Sequence, residues 1–182
     1  MSITITHKNN SISVVSSFND INDNEDIIEI NCSGNKLTHL PENMNFPKLQ
    51  KLYCRYNKLT KLPENMNFPK LKFFWCFNNN LTQLPENMNF PNLQIFYCEN
   101  NNLTHLRENM NFPNLQRFNC YNNKLTQLPV CILNWRSLLK INYINNPIEL
   151  SPQLARFINI INIINIINDG SIYNDFFYLE IF

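Results

Sequence analysis

The feature that most constrains the fold of this chain is a 22-residue periodicity that runs through its middle. Cys32, Cys54, Cys76, Cys98 and Cys120 follow one another at this step, and one Asn column and two Leu columns keep the same spacing. A fixed period of this length is typical of repeat proteins, in which each unit contacts only its neighbours. Because one such unit cannot bury its apolar side alone, the units must stack and share a core, which predicts a solenoid.

The unit at residues 49–70, LQKLYCRYNKLTKLPENMNFPK, shows how each repeat is divided. In its first half, apolar side chains alternate with Lys51, Tyr53 and Arg55 at a period of two, which predicts a short strand. In its second half, Pro63 and Pro69 exclude a regular helix or a central strand. We therefore expect a return segment that is irregular, extended or one turn of 3₁₀ helix.

The strand halves LQKLYCRYNKL, LKFFWCFNNNL, LQIFYCENNNL and LQRFNCYNNKL resemble the LxxLxLxxNxL pattern of the leucine-rich-repeat family. The resemblance covers about two-thirds of the chain, and the skewed, Asn-rich composition is similar to that of family members from AT-rich genomes such as those of large DNA viruses. It implies an α/β solenoid with a right-handed, curved parallel sheet on the concave side, an irregular or 3₁₀ convex side and a C-terminal helical cap.

The chain departs from the family pattern in two ways. Cys stands where the family usually has a second strand Leu, and Arg107 stands where the other units have Pro. Neither change is expected to disturb the fold, because Cys is a small apolar core residue and Arg107 is expected in an exposed turn.

The repeats predict three regions. Residues 27–148 hold five full units and one partial unit, residues 1–26 are expected to be an N-terminal cap or a partly disordered segment, and residues 149–182 a C-terminal cap. Ser151 and Pro152 are a helix-start signal, so the Ile-rich run that follows is predicted to be a helix over the open end of the core. The alternative is a low-complexity run that frays. The tail at 171–182 is expected either to dock on the last coil or to form a second contact surface.

Two columns of reactive or polar residues have structural interpretations. The spacing of the Cys column would permit disulfides, but its side chains point the same way into the core, so we expect buried free thiols. His7, His39 and His105 do not share this column, so no metal site and no cofactor is predicted. Cys131 lies outside the column and is expected to be semi-buried. The Asn column is expected to satisfy backbone groups where each strand ends.

Charge and hydropathy exclude several classes of partner. With a formal net charge of +1, the chain has no field that would favour nucleic acid or an anionic membrane. The N-terminal sequence lacks a secretory pattern, and no window reaches the roughly 18 apolar residues that a membrane span needs. We therefore predict an unsecreted, cytoplasmic monomer without a transmembrane segment, in the host cytoplasm if the source is viral.

The outward positions of the strands break the repeat, whereas the core columns keep it. Large aromatic side chains concentrate in the central units with charged residues around them, as in the hot spot of a protein interface. The alternative is that these rings stack across strands and stabilise the sheet without a partner. The predicted partner-binding residues are Lys51, Tyr53, Arg55, Phe73, Trp75, Phe77, Ile95, Tyr97, Glu99, Arg117 and Tyr121.

These observations predict a non-enzymatic protein–protein interaction module that binds a partner protein on its concave aromatic face. One alternative is a structural or decoy repeat that competes with host repeat proteins for their ligands. Another is a ubiquitin-ligase adaptor, which is disfavoured because residues 1–26 are too few for an F-box. A ligase resembling the bacterial leucine-rich-repeat effectors is disfavoured because the 34 residues after the array contain no Cys nucleophile.

Overall fold

The computed structural model describes residues 1–21 and 26–168 of the chain. The tail at 171–182, for which two roles were predicted, lies outside the described residues. The helix α1 spans Pro152–Asn168, and short 3₁₀ helices span Phe18–Asp20 and Val130–Asn134. The strands are β1 (Ile3–His7), β2 (Ile12–Val15), β3 (Ile27–Asn31), β4 (Lys51–Tyr53), β5 (Asn65–Asn67), β6 (Phe73–Trp75), β7 (Asn87–Asn89), β8 (Ile95–Tyr97), β9 (Arg117–Asn119) and β10 (Lys140–Asn142).

One strand from each repeat enters a single main sheet. Its order is β10-β9-β8-β6-β4-β3-β1-β2, and the strands from β3 to β10 are parallel. Equivalent residues of successive units lie directly opposite one another, as Leu52, Phe74, Phe96 and Phe118 do. The predicted leucine-rich-repeat solenoid is therefore confirmed.

Two files of stacked phenylalanine rings fill the core behind this sheet. In the file from the strands, the Phe74 and Phe96 ring centroids lie 5.3 Å apart. In the file from the return segments, the Phe68 and Phe90 centroids lie 5.9 Å apart. Both files end on Trp135, whose indole Nε1 donates a hydrogen bond to the Met110 carbonyl oxygen at 3.1 Å. The apolar interior is thus continuous along the array.

The Asn column forms the ladder that the sequence predicts. The Asn79 amide nitrogen donates to the carbonyl oxygens of Cys54 and Cys76, each at 3.0 Å, and its amide oxygen accepts from the Leu59 backbone N–H at 3.0 Å. Asn57, Asn101, Asn123 and Asn146 make the equivalent bonds one coil apart. Each amide therefore joins two successive coils where the strand ends.

The five cysteines of the column are buried free thiols, as predicted. Burial raises the pKa of the Cys32 thiol to about 12 and raises the pKa values of the other four well above the usual range. Cys131 is half-buried, as expected, and its thiol donates to the Arg107 carbonyl oxygen at 3.6 Å. Across residues 1–21 and 26–168, no three His, Cys, Asp or Glu side chains are grouped so that they could hold a metal ion.

On the convex side, the return segments of two units are extended, which is one of the conformations that the sequence predicts, and they pair in a two-stranded parallel sheet, β5 with β7. Pro63 and Pro69 flank the Asn65–Asn67 segment without interrupting it. The expectation of an exposed turn at Arg107 is wrong. Only 27% of its side chain is exposed, and its guanidinium pairs with Glu86 at 3.2 Å. The equivalent Pro63 and Pro85 are buried as well.

Non-repeated segments lie at both ends of the array. At the N-terminal end, β1 and β2 form an antiparallel hairpin, and β1 pairs with β3. Ser2 extends the Asn ladder there, because its carbonyl oxygen accepts from the Asn35 amide at 2.7 Å. At the C-terminal end, the predicted helix begins at Pro152 and buries Leu154, Ile158 and Ile161. No helix in the described part of the chain is long and apolar enough to cross a membrane.

Candidate functional site

The strands of the main sheet place one set of side chains in the core and the other set on the opposite face. In β4, β6 and β8 the middle residue is buried, and the residues on either side of it point outward. We call the outward side chains of the array the display face. All eleven predicted partner-binding residues lie on it: Lys51, Tyr53, Arg55, Phe73, Trp75, Phe77, Ile95, Tyr97, Glu99, Arg117 and Tyr121. Their role in binding stays a prediction.

The centre of the display face is a strip of half-buried aromatic rings. The Trp75 ring lies between Tyr53, with centroids 4.5 Å apart, and Tyr97, with centroids 6.0 Å apart and planes within 12°. The ring centroid of Phe77, two residues further along the same unit, lies 6.3 Å from that of Trp75. We call these four rings the aromatic strip. They stack as the non-binding alternative requires, yet each keeps part of its surface open to solvent.

Arg55 covers part of this strip. Its guanidinium carbon lies 5.0 Å from the Trp75 ring centroid and 5.5 Å from that of Phe77. Cation–π contacts of this kind contribute about 0.5–1 kcal/mol at exposed sites. The sequence placed Arg55 at the edge of the aromatic cluster, whereas the structure places its guanidinium over the rings. A planar cation is therefore already part of the central surface.

The other charged side chains of the display face differ in their exposure and in whether they are paired. Lys51 pairs with Glu29 at 3.0 Å, and this hydrogen bond raises the pKa of the Lys51 ammonium. Arg117 is exposed. Glu99 is half-buried, and burial raises the pKa of its carboxyl above the usual range. Its Oε2 atom is buried without a hydrogen-bond partner, as is the Nε1 atom of Trp75.

Sequence reasoning missed one aromatic residue at the edge of the strip. Tyr56 is 59% exposed and meets Phe77 edge to face, with centroids 5.4 Å apart. Its backbone has a φ of 54°, in the left-handed region that disfavours most side chains. The same position of other units holds Gly34, Asn78, Asn100, Asn122 and Asn145. The departure of Tyr56 from this Gly and Asn column was the signal available in the sequence.

A groove beside the last strands was also missed. It encloses about 920 Å³ between the display face and α1, and it is lined by residues that include Tyr97, Arg117, Lys140, Asn142 and Asn162. Its wall is α1, whose Asn165 amide bonds the Leu139 carbonyl oxygen. Because α1 does not belong to the repeat, its position could not be read from the repeat pattern.

Comparisons with known proteins agree with this geometry. The family model described as "Leucine Rich repeats (2 copies)" matches residues 47–87. The solved structure of YopM from Yersinia enterocolitica WA-314 is 29% identical to the chain, with a TM-score of 0.53 over 67% of it. This chain is a leucine-rich-repeat protein. The leucine-rich-repeat chain spans 28% of the length of that YopM structure.

A second solved structure, a leucine-rich-repeat protein of Leptospira interrogans, is 20% identical to the chain, with a TM-score of 0.38, covering 66% of this chain and 43% of its own. No curated protein matches this leucine-rich-repeat protein. Leucine-rich repeats generally mediate contacts between proteins, and proteins of this family are typically non-enzymatic scaffolds.

Proposed function

We propose that the display face binds a partner protein and that the chain acts without catalysis. The observation that carries this proposal is the aromatic strip, in which Tyr53, Trp75, Phe77 and Tyr97 lie side by side on one face and are only half-buried. Large rings supply the most contact energy per residue at protein interfaces, and they are enriched in hot spots. A partner that covers the strip would remove the remaining apolar surface from water.

Stacking alone accounts poorly for the composition of this face. Stability could be obtained from aliphatic or Thr pairs across strands, as well as from rings. A contiguous apolar patch also promotes aggregation when nothing covers it. The core columns keep Leu, Cys and Asn at each step, whereas the display columns change from unit to unit, which is what recognition of a non-repeating partner requires.

We place this interaction in the cytoplasm and take the chain to be a monomer. The supporting observation for the compartment is the column of buried thiols, because thiols in oxidising compartments tend to be used in disulfides. No residue of the display face is assigned to catalysis, and no cofactor is proposed.

The proposal is tested by affinity capture with variants of the whole chain, quantified by mass spectrometry. We expect Trp75→Ala to reduce recovery of the specific partner at least tenfold. Because Trp75→Ala also removes stacking, Arg117→Glu serves as a second variant whose exposed side chain is not needed for folding. It should reduce recovery while the melting temperature stays within about 2 °C of wild type.

The control is Lys70→Glu, which reverses an exposed charge outside the display face. Partner recovery that is equal for wild type, Trp75→Ala and Arg117→Glu would refute binding at this face. In that case, a large loss of stability in Trp75→Ala would show that the rings only support the sheet.

A further inference from the structure

We propose that Glu99 is a specificity-determining residue that selects partners presenting a basic side chain, Arg or Lys, to the aromatic strip. This inference rests on the proposed function of the display face. It assigns a chemical class to the partner segment that would lie over residues 77–121: apolar contacts to the rings, with one cation opposite Glu99.

The first observation is an unmet hydrogen bond. Glu99 is half-buried on the display face, and its Oε2 atom is inaccessible and has no partner. A buried polar atom without a partner costs free energy, and a carboxylate oxygen costs more than a neutral one. Most buried polar groups in folded proteins are paired, so such an atom on a surface proposed to bind needs an explanation.

The second observation is that the neighbouring cations do not compensate Glu99. The ion pairs among residues 1–21 and 26–168 are Lys51 with Glu29, Lys61 with Glu42 and Arg107 with Glu86. The cation nearest in its column, Arg55, lies over the Trp75 and Phe77 rings. Glu99 therefore has no ion-pair partner among the residues that the structure describes.

The third observation is the surroundings of this charge. Glu99 stands between Phe77 and Tyr121 in its column, because the backbones of adjacent units are bonded from Asn78 to Glu99 and from Asn100 to Tyr121, each at 3.0 Å. The Tyr121 hydroxyl accepts a hydrogen bond from the Asn145 amide at 2.8 Å, so it has a partner of its own.

An incoming guanidinium or ammonium group suits this position for two reasons. Once the Glu99 side chain turns so that Oε2 becomes accessible, the incoming group can donate charge-assisted hydrogen bonds to the carboxylate, which are stronger than neutral ones. Its flat or compact head can also lie against the flanking rings, as the Arg55 guanidinium already does on Trp75. A neutral partner would bury Glu99 further without pairing it, and an acidic partner would add repulsion.

The test uses a library of random 12-residue peptides displayed on phage and selected on the full chain. Only peptides whose binding falls at least tenfold with a Trp75→Ala variant that circular dichroism shows to be folded are kept, because they occupy the display face. We expect these peptides to share an Arg or Lys at one position. Glu99→Gln should weaken their binding at least tenfold, whereas the matched control Glu64→Gln, an exposed residue of a return segment, should leave it unchanged.

A double-mutant cycle isolates the contact. Replacing the basic residue of the peptide by citrulline should cost about tenfold against wild type and less than twofold against Glu99→Gln. Peptides that need Trp75 but show no common basic residue, or no coupling to Glu99, would overturn this inference and leave the proposed function standing. A library that yields no Trp75-dependent peptide would overturn both.

Discussion

At the end of each strand, a single asparagine side chain satisfies backbone groups of two coils. Asn79 is buried, and its amide reaches backbone atoms of Cys54, Leu59 and Cys76. No shorter or charged side chain offers two donors and an acceptor in this geometry. The recurrence of Asn at this position therefore has a folding reason, and it does not indicate a ligand site.

We predict that Asn79→Ala lowers the free energy of unfolding by about 3 kcal/mol, because it leaves buried backbone groups of two coils without partners. The adjacent Asn80 is exposed and provides the control. Asn80→Ala should change the free energy of unfolding by no more than about 0.5 kcal/mol. Urea denaturation followed by circular dichroism measures both, and equal losses for the two variants would contradict the ladder.

At Tyr56, by contrast, the side chain is poorly suited to the backbone conformation that the residue adopts. A side chain with a Cβ in the left-handed region costs about 1–2 kcal/mol, and Asn tolerates this region better than Tyr does. Tyr56 has a φ of 54° despite this cost, and its ring extends the aromatic strip by its contact with Phe77. Backbone strain of this kind tends to occur at functional sites.

We therefore predict that Tyr56→Asn raises the free energy of unfolding by up to about 1 kcal/mol and weakens partner binding. The reciprocal variant Asn78→Tyr, at the equivalent position of the next unit, should lower the free energy of unfolding by a similar amount. Thermal denaturation and the phage-derived peptides provide the two readouts. A destabilised Tyr56→Asn would show that the ring contact outweighs the backbone strain.

At the scale of elements, the sequence predicted the repeated parts in more detail than the unrepeated parts. The strands, the Asn ladder and the buried thiols recur in unit after unit, so each role could be inferred several times over. The side-chain conformation of Arg55, the burial of Arg107 and the groove beside α1 depend on packing between particular neighbours. Periodicity carries no information on these contacts.

The helix α1 was predicted from the helix-start signal at Ser151 and Pro152. Which of its side chains pack against the core was not predicted. Asn and Ile alternate around it, so one side buries Leu154, Ile158 and Ile161 while Ile160 remains 56% exposed. The 3₁₀ helix at Val130–Asn134 contacts α1. We propose that α1 and the β1–β2 hairpin act as the two caps of the array, because each pairs with or covers a terminal coil.

For α1 we predict that Ile158→Ala lowers the free energy of unfolding by about 3 kcal/mol, through lost burial and the cavity left behind. Ile160→Ala, in the same helix and exposed, should change it by no more than about 0.5 kcal/mol. Chemical denaturation distinguishes them. Two small and equal effects would mean that α1 does not cap the core.

At the scale of the whole molecule, each unit contacts only its neighbours, so stability should depend on whole units being kept. We predict that deleting residues 71–92, one complete 22-residue unit, yields a folded and cooperative protein with a lower free energy of unfolding. Deleting residues 71–81 removes half a unit and should abolish cooperative unfolding, because it misaligns the Asn and Phe columns. Circular dichroism during thermal denaturation separates the two outcomes.

The same stacking produces the display face, because identical backbone coils bring Tyr53, Trp75 and Tyr97 into one row. The sequence predicted this row from the period alone. It could not predict that the Oε2 atom of Glu99 would be buried without a partner or that the Arg55 guanidinium would lie over the rings, since both depend on side-chain conformation. The face is therefore a product of the whole array, and its specificity is set by a few side-chain conformations.

Photo-crosslinking tests most directly whether this face is the binding surface. A benzophenone amino acid is placed at Tyr97 on the display face or at Asn87 on the opposite side, and each protein is irradiated with the captured partner. We predict one discrete covalent adduct from position 97 and none from position 87. An adduct from position 87 alone, or equal adducts from both positions, would contradict binding at the display face.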